Sequence, residues 1–137
     1  MSTANTFDMG EINTFPKILK HNAIHWPNEI AMREKEFGIW TQFTWLDYNN
    51  RVKWLALALK EMGITKGDAV ALLGDNRPEW VWGEVAAHAI NCFSIGIFQD
   101  SLHDEVIYLL NKSRATVVIA EDEEQCDQLL ELGDQIN

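Results

Sequence analysis

The stretch 67–120 constrains the fold of this chain more than any other. It holds three short apolar runs, at 69–73, 92–98 and 116–120, and two segments with helical spacing separate them. This alternation is typical of strands joined by crossover helices into a parallel sheet. None of the runs alternates apolar with polar residues, so we expect each strand to be covered on both faces. The sequence therefore predicts an α/β fold, a three-layer parallel sheet with flanking helices.

The segment before this stretch is predicted to form a helix and a short N-terminal hairpin. The helix is expected to begin near Thr14 and to end at Trp26-Pro27, because a residue that precedes proline is disfavoured in the α region. Runs 30–36 and 39–44 then flank Phe37-Gly38, a plausible tight turn between two strands.

The clearest helical pattern covers residues 45–62. Thr44 and Asp47 have the spacing of a capping box, and Gly63 stands where a left-handed C-cap is expected. One face carries an apolar stripe at steps of three and four: Trp45, Tyr48, Val52, Leu55, Leu59 and Met62. The same capping spacing recurs before three later helices: Asn76 with Glu79, Ser101 with Asp104, and Asp122 with Gln125.

Length and composition indicate one globular domain. With 137 residues, we expect a loose segment over 1–13 and a single α/β domain over 14–137. No apolar run has the length of a membrane span, and the first residues lack the pattern of a signal peptide. The expected location is cytoplasmic, with peripheral membrane association left open for a longer parent enzyme.

The net charge of −10 argues against a nucleic-acid partner, because it would repel a phosphate backbone. Seven of the acidic residues lie in 121–137, which holds no basic residue, and we interpret this segment as a solvated helix face rather than a binding tail. The two cysteines, Cys92 and Cys126, form no CxxC motif. Both are predicted to be reduced and buried, Cys126 on an apolar helix face with Leu129 and Leu130.

The sequence contains no recognisable catalytic constellation. Among the histidines only His21 and His25 share a helical face, and a frayed surface pair is a better interpretation than a metal site. The turn 63–67 lacks the Lys-Ser/Thr ending of a Walker loop, and neither GxGxxG nor GxSxG occurs. We therefore assign no catalytic, cofactor-binding or metal-binding residue.

Ligands of open parallel sheets bind beyond the carboxyl ends of the strands. Those ends are predicted at 74–76, 99–101 and 121–122. Their carboxylates could hold Mg²⁺, as in a phosphorylatable receiver domain, although the acidic pair, Thr/Ser and Lys of such a domain are not found. The simpler interpretation is that Asp75, Asp100 and Asp122 cap helices.

Several short motifs in one order resemble a known family. They are Phe43-Thr44-Trp45, Gly67-Asp68, Asn76-Arg77-Pro78-Glu79-Trp80, and Tyr108-Leu109-Leu110-Asn111 before Val117-Val118-Ile119. From about Thr14 to the end, the chain resembles the N-terminal part of an AMP-forming acyl-CoA synthetase of the adenylate-forming superfamily. It is most similar to bacterial long-chain fatty acid CoA ligases, although Gln99-Asp100-Ser101 stands where many relatives have proline.

The resemblance implies a two-step reaction in a longer parent enzyme. A fatty acid carboxylate attacks the α-phosphate of ATP with Mg²⁺ present, which gives an acyl-adenylate and pyrophosphate, and the thiol of CoA then displaces AMP. The implied partners are fatty acid, ATP and CoA. In this family the phosphate loop, the adenine-binding segment, the ribose-binding Asp and a C-terminal Lys all lie downstream of residue 137.

We therefore expect this chain to be an N-terminal fragment that is inactive alone, binds no cofactor and self-associates through exposed apolar surface. Two alternatives stay open at this point. One is a receiver-like signalling domain, and the other is a non-catalytic interaction module, since a fold does not establish a function.

Overall fold

The computed structural model describes residues 10–136. In that part of the chain the elements follow in the order α1 (Phe15–His25), β1 (Ile30–Glu36), β2 (Ile39–Thr44), α2 (Trp45–Glu61), β3 (Ala69–Gly74), α3 (Pro78–Ala89), β4 (Phe93–Phe98), α4 (His103–Ser113), β5 (Ala115–Ala120) and α5 (Glu123–Leu132), with a final 3-10 turn at Gly133–Gln135. The predicted loose segment over 1–13 falls mostly on residues 1–9, which lie outside the described residues.

The parallel sheet predicted from the three apolar runs is confirmed. Strand β3 lies in the centre, with β4 on one side and β5 on the other, both parallel to it. In the register, Leu72 lies between Gly96 of β4 and Ile119 of β5. Because all three strands run the same way, their carboxyl ends meet at one edge of the sheet.

Only the central strand is covered on both faces. Every residue of β3 is buried, whereas β4 exposes Phe93 and Phe98 and β5 is mostly half-buried. The prediction of full cover is therefore wrong for the two outer strands. Each outer strand has one neighbour instead of two, so apolar residues alone could not show which strand is central.

Two apolar clusters lie on opposite faces of the sheet. Val70 faces a cluster built from α1, α2 and α3, with Leu19, Val52, Leu59, Trp82 and Val85 among its members. Ala71 and Leu73 face the other way, toward Ile97, Val106, Leu110 and Leu132. Each fully buried Leu or Val contributes about 1.5–3 kcal/mol to stability. The result is the predicted three-layer arrangement: helices, sheet, helices.

The hairpin forms as the sequence predicts. β1 pairs with β2 in antiparallel register, and the two turn residues Phe37 and Gly38 have φ of 47° and 82°. Positive φ at both turn residues is the feature of a type I′ turn, whose twist matches that of the strands.

The predicted capping of α2 and α5 is confirmed. The Asp47 N–H donates to Thr44 Oγ1 at 3.1 Å, and Asp47 Oδ2 accepts from the Thr44 N–H at 3.0 Å, which completes the capping box. Asp122 Oδ1 accepts from the N–H groups of Glu124 and Gln125 at 2.9 and 3.3 Å.

The caps predicted for α3 and α4 are wrong by one residue. Pro78 occupies the first position of α3, so Arg77 rather than Asn76 is the N-cap residue. Ser101 closes a turn by donating its N–H to the Phe98 carbonyl at 3.0 Å, and α4 begins after Leu102. There Glu105 Oε2 accepts from the Leu102 N–H at 3.1 Å.

One cysteine is buried and the other is not. Cys92 is buried, as expected, and its Sγ donates to the Thr65 carbonyl at 3.1 Å. Cys126 is exposed, so its predicted burial is wrong. Helix α5 instead turns Gln125 and Leu132 inward, seven positions apart on one stripe, and that stripe leaves Cys126 and Leu130 outside.

Candidate functional site

A cleft at the carboxyl edge of the sheet is the candidate site. It has a volume of about 420 Å³ and lies between the start of α3 and the end of β5. The lining residues come from the central strand, the loop after it, α3 and the β5 terminus: Leu72, Leu73, Asp75, Arg77, Glu79, Trp80, Ile119, Ala120 and Glu121. This is the edge at which open parallel sheets hold ligands.

Arg77 is the central side chain of this edge. Its Nε lies 3.0 Å from Glu34 Oε1 and its Nη2 lies 3.4 Å from Glu36 Oε1, both on hairpin strand β1. Its Nη1 lies 3.4 Å from Glu121 Oε1, directly after β5. The hydrogen bond to Glu34 is the main cause of a raised pKa of the guanidinium. Arg77 thus joins the hairpin to the sheet edge.

Glu121 holds the loop after the central strand. Its Oε2 accepts a hydrogen bond from the Asp75 N–H at 2.5 Å, while Oε1 faces Arg77. The approach requires glycine at position 74, since a Cβ there would lie 2.7 Å from the Cβ of Glu121. A larger residue would push the end of β5 away from the end of β3.

Trp80 forms the apolar wall of the cleft. Its ring lies against Gly96 of β4, where an added Cβ would come within 2.7 Å of the ring. Leu72 and Ile119 line the cleft beside it. The cleft therefore combines an apolar wall with a charged rim.

The three aspartates predicted to cap helices have different roles. Asp122 caps α5, as described above. Asp75 does not cap α3, because its Oδ1 accepts from the neighbouring Asn76 N–H at 2.7 Å. Asp100 caps no helix either, and it lines a separate shallow cleft of about 380 Å³ with Phe98 and Glu105. Within residues 10–136, no three His, Cys, Asp or Glu side chains form a group suited to a metal ion.

The histidines lie outside the cleft lining. His21 and His25 are stacked with ring centroids 4.0 Å apart, and His25 Nδ1 lies 2.8 Å from the His21 carbonyl oxygen. Both residues belong to α1, which ends at His25. His88 Nε2 lies 2.9 Å from Ser94 Oγ, and the His88 ring stacks on Phe15. No local sequence pattern indicates the contact between His88 of α3 and Ser94 of β4.

The chemistry of the cleft is that of a structural junction with an apolar wall. Its one guanidinium is shared among three carboxylates, and its other ionisable lining groups are carboxylates.

Outside the cleft, burial raises the pKa of Tyr48 to about 12, with a further contribution from Glu84. That phenol stays protonated at neutral pH and is no general base.

In the sequence, Arg77 is recognisable only as part of a motif, and its partners are not. Glu34 and Glu121 lie 43 and 44 positions away, so no local pattern could identify them. The sequence shows that Gly74 precedes an acidic turn. Its close approach to Glu121 depends on the pairing of β3 with β5, which the sequence does not show.

The chain is similar to known proteins in sequence and in fold. The model of the family described as AMP-binding enzyme matches residues 19–136. The chain is 24% identical over 136 residues to the long-chain-fatty-acid–CoA ligase FadD15 of Mycobacterium bovis; the match covers 99% of this chain and 23% of that protein. The chain therefore spans less than a quarter of the length of this curated relative.

Two solved structures have the same fold. The N-terminal domain of FACL13 from Mycobacterium tuberculosis superposes with a TM-score of 0.76 at 24% identity, over 89% of this chain and 30% of that one. The anthranilate CoA ligase AuaEII superposes with a TM-score of 0.79 at 23% identity, over 88% and 22%. At these identities the likeness establishes the α/β architecture predicted from the sequence.

Proposed function

The chain belongs to the AMP-binding enzyme family, and we propose that it is the N-terminal part of an AMP-forming acyl-CoA ligase that activates a long-chain fatty acid. The family match over residues 19–136 is the observation that carries this proposal. Similarity to a long-chain-fatty-acid–CoA ligase along 99% of the chain supports the choice of substrate. A cytoplasmic location is part of the same proposal.

In this proposal the chain supplies a scaffold, and ATP, Mg²⁺ and CoA are bound by residues outside it. One observation supports this division: the match covers 23% of FadD15, so most of that protein lies outside the matched part. Carboxylates at the cleft rim are held by Arg77 and by backbone N–H groups, so they are poor candidates for metal ligands.

The role proposed for the cleft is to fix the carboxyl edge of the sheet. Arg77 and Glu121 hold the ends of β1, β3 and β5 in one arrangement, and Trp80 closes the gap beside β4. A rigid edge would position any catalytic loops that pack on it, which is the contribution a scaffold makes to in-line phosphoryl chemistry.

Fatty-acid-dependent exchange of pyrophosphate into ATP tests the proposal. We expect exchange from the natural protein, recovered from its cells with an antibody against this chain, and none from residues 1–137 alone. A series of fatty acids of increasing length identifies the substrate, and omission of fatty acid is the control. Absence of exchange with every acid would contradict the ligase proposal, and exchange by the 137-residue chain would contradict the scaffold proposal.

The predicted self-association of the 137-residue chain also belongs to this proposal. Strand β4 has a free edge in the described sheet, and its sequence FSIGIF carries no charge to protect that edge. Phe98 is 79% exposed at its end. We expect sedimentation to show concentration-dependent association that Phe98→Lys weakens and Phe37→Lys, at the exposed hairpin tip, does not. A chain that stays monomeric at all concentrations would contradict the predicted self-association.

A further inference from the structure

Two histidine rings lie face to face in the last two turns of α1. His21 and His25 are stacked with ring centroids 4.0 Å apart and an angle of 24° between the ring planes. His21 is half-buried, whereas His25 is exposed. Side chains four positions apart lie on the same face of a helix, so both imidazoles can reach a single ion. Two histidines of helical H-E-x-x-H zinc sites have the same spacing.

A hydrogen bond of His25 determines which of its ring nitrogens can bind a metal. His25 Nδ1 lies 2.8 Å from the His21 carbonyl oxygen. Because a carbonyl oxygen only accepts hydrogen bonds, Nδ1 carries the proton and the lone pair of the neutral ring is on Nε2. Histidines that bind metals almost always donate the other ring N–H to a carboxylate, a backbone carbonyl or water. His25 therefore has the hydrogen bond that a metal-binding histidine needs.

Asn22 orients the other ring in the same way. This asparagine is buried, and its Oδ1 lies 3.4 Å from His21 Nδ1. An amide oxygen also only accepts, so the contact favours a proton on Nδ1 and a lone pair on Nε2 of His21. These two acceptors supply the fixed ring orientation that the spacing of the histidines alone does not establish.

The surroundings of the pair favour a cation that exchanges readily. Helix α1 ends at His25, and the C-terminal end of a helix carries a partial negative charge. The net charge of the chain is −10. Among residues 10–136, no third His, Cys, Asp or Glu side chain completes a group suited to a metal ion. Water therefore has to fill the remaining coordination positions, and few protein bonds hold the ion.

We propose that His21 and His25 form a site for an exchangeable Zn²⁺ ion, bound through Nε2 of each ring. Imidazole suits Zn²⁺, whereas Mg²⁺ takes oxygen ligands, so the site selects against the Mg²⁺ of the proposed ligase reaction. Asn22 stands where H-E-x-x-H sites carry a glutamate general base, so the pair binds the ion without hydrolytic chemistry. The inference is independent of the ligase proposal, because neither histidine lines the cleft at the sheet edge.

Calorimetric titration of the 137-residue chain with ZnCl₂ tests the inference. We expect one ion per chain and no competition from excess MgCl₂. His21→Gln and His25→Gln should each weaken zinc binding by at least about tenfold, since even the groups that orient a metal ligand contribute that much. His25→Cys should restore binding, because a thiolate is also a zinc ligand, and a purely structural role would not explain this rescue.

Long-range ¹H–¹⁵N NMR spectra of the imidazoles identify the nitrogen that binds. We expect ZnCl₂ to shift the Nε2 resonances of His21 and His25, while both Nδ1 atoms stay protonated. A shift of Nδ1 instead of Nε2 in both rings would overturn the proposal. So would half an ion per chain together with a dimer in sedimentation, because the ion would then bridge two copies.

Two matched variants separate the pair from other zinc ligands at the surface. His103→Gln removes an exposed histidine at the start of α4, and Cys126→Ser removes the exposed thiol of α5. Both should leave zinc affinity unchanged, and far-UV circular dichroism verifies that every variant is folded. Equal losses in His103→Gln and His25→Gln, or no heat of binding with ZnCl₂, would overturn the proposal.

Discussion

The Nε of Arg77 lies 3.0 Å from Oε1 of Glu34, a residue 43 positions earlier in the chain. This contact joins the N-cap residue of α3 to strand β1, and the same guanidinium reaches Glu121 after β5. The hairpin, the central strand and an outer strand are thus joined through one side chain at the carboxyl edge of the sheet.

Replacing Arg77 should loosen the hairpin. We expect Arg77→Ala to lower the free energy of unfolding by about 1–2 kcal/mol, because it leaves the half-buried carboxylates of Glu34 and Glu121 without their partner. Hydrogen exchange should accelerate in β1 and β2, and urea unfolding measures the loss. The control is Arg33→Ala, an exposed arginine on the same strand as Glu34, which should lower the free energy of unfolding by less than about 0.5 kcal/mol. Equal losses in the two variants would contradict the role given to Arg77.

Gly83 is required by the packing of α3 on the sheet. A Cβ at this position would lie 2.6 Å from Cδ2 of the fully buried Leu72. Gly83→Ala should therefore destabilise the protein by about 1–2 kcal/mol, since overpacking outweighs the gain in helix propensity. Gly133→Ala is the control: nothing lies within 4 Å of its added Cβ and its φ is −51°, so thermal unfolding should be unchanged or slightly raised.

Asp47 should contribute a pH-dependent part of the stability. Hydrogen bonds from the backbone and then the side chain of Thr44 lower its pKa below the ordinary value of 3.8. Because the pKa is lower in the folded state, the stabilisation is complete above the ordinary value and is lost as pH falls through it toward the folded value. Asp47→Asn should cost about 0.5–1 kcal/mol at neutral pH.

Urea unfolding at several pH values measures this contribution. The difference between the wild type and Asp47→Asn should narrow below about pH 4, where the carboxylate of the unfolded chain is protonated. Asp100→Asn, at an exposed position, should show no comparable change. A difference that is constant from neutral to acid pH would argue against an ionised capping carboxylate.

The two cysteines should react at different rates with a thiol reagent. Burial is the main cause of a raised pKa of Cys92, and its Sγ already donates to the Thr65 carbonyl. Cys126 is exposed. We expect one fast thiol that Cys126→Ser removes, and a slow second thiol that appears only on unfolding. Fast labelling of the Cys126→Ser variant would show that Cys92 is accessible.

Contacts within a few residues were predictable from the sequence, and they account for most of the element boundaries. The hairpin turn at Phe37 and Gly38 and the cap formed by Thr44 and Asp47 depend only on residues within four positions of one another. The caps of α3 and α4 were predicted one residue early, because proline at the first helical position and a turn at Ser101 compete with the spacing rule.

The amino-acid sequence by itself determined the order of strands and helices, because apolar periodicity and helix caps depend on residues that are close together in the chain. Only the tertiary structure decided that β3 is central, that Cys126 faces outward, and that Arg77 meets Glu34. Each of these features is a contact between segments that lie far apart in the chain, or an exposure that depends on such contacts. They depend on how layers pack, and no local pattern contains that information.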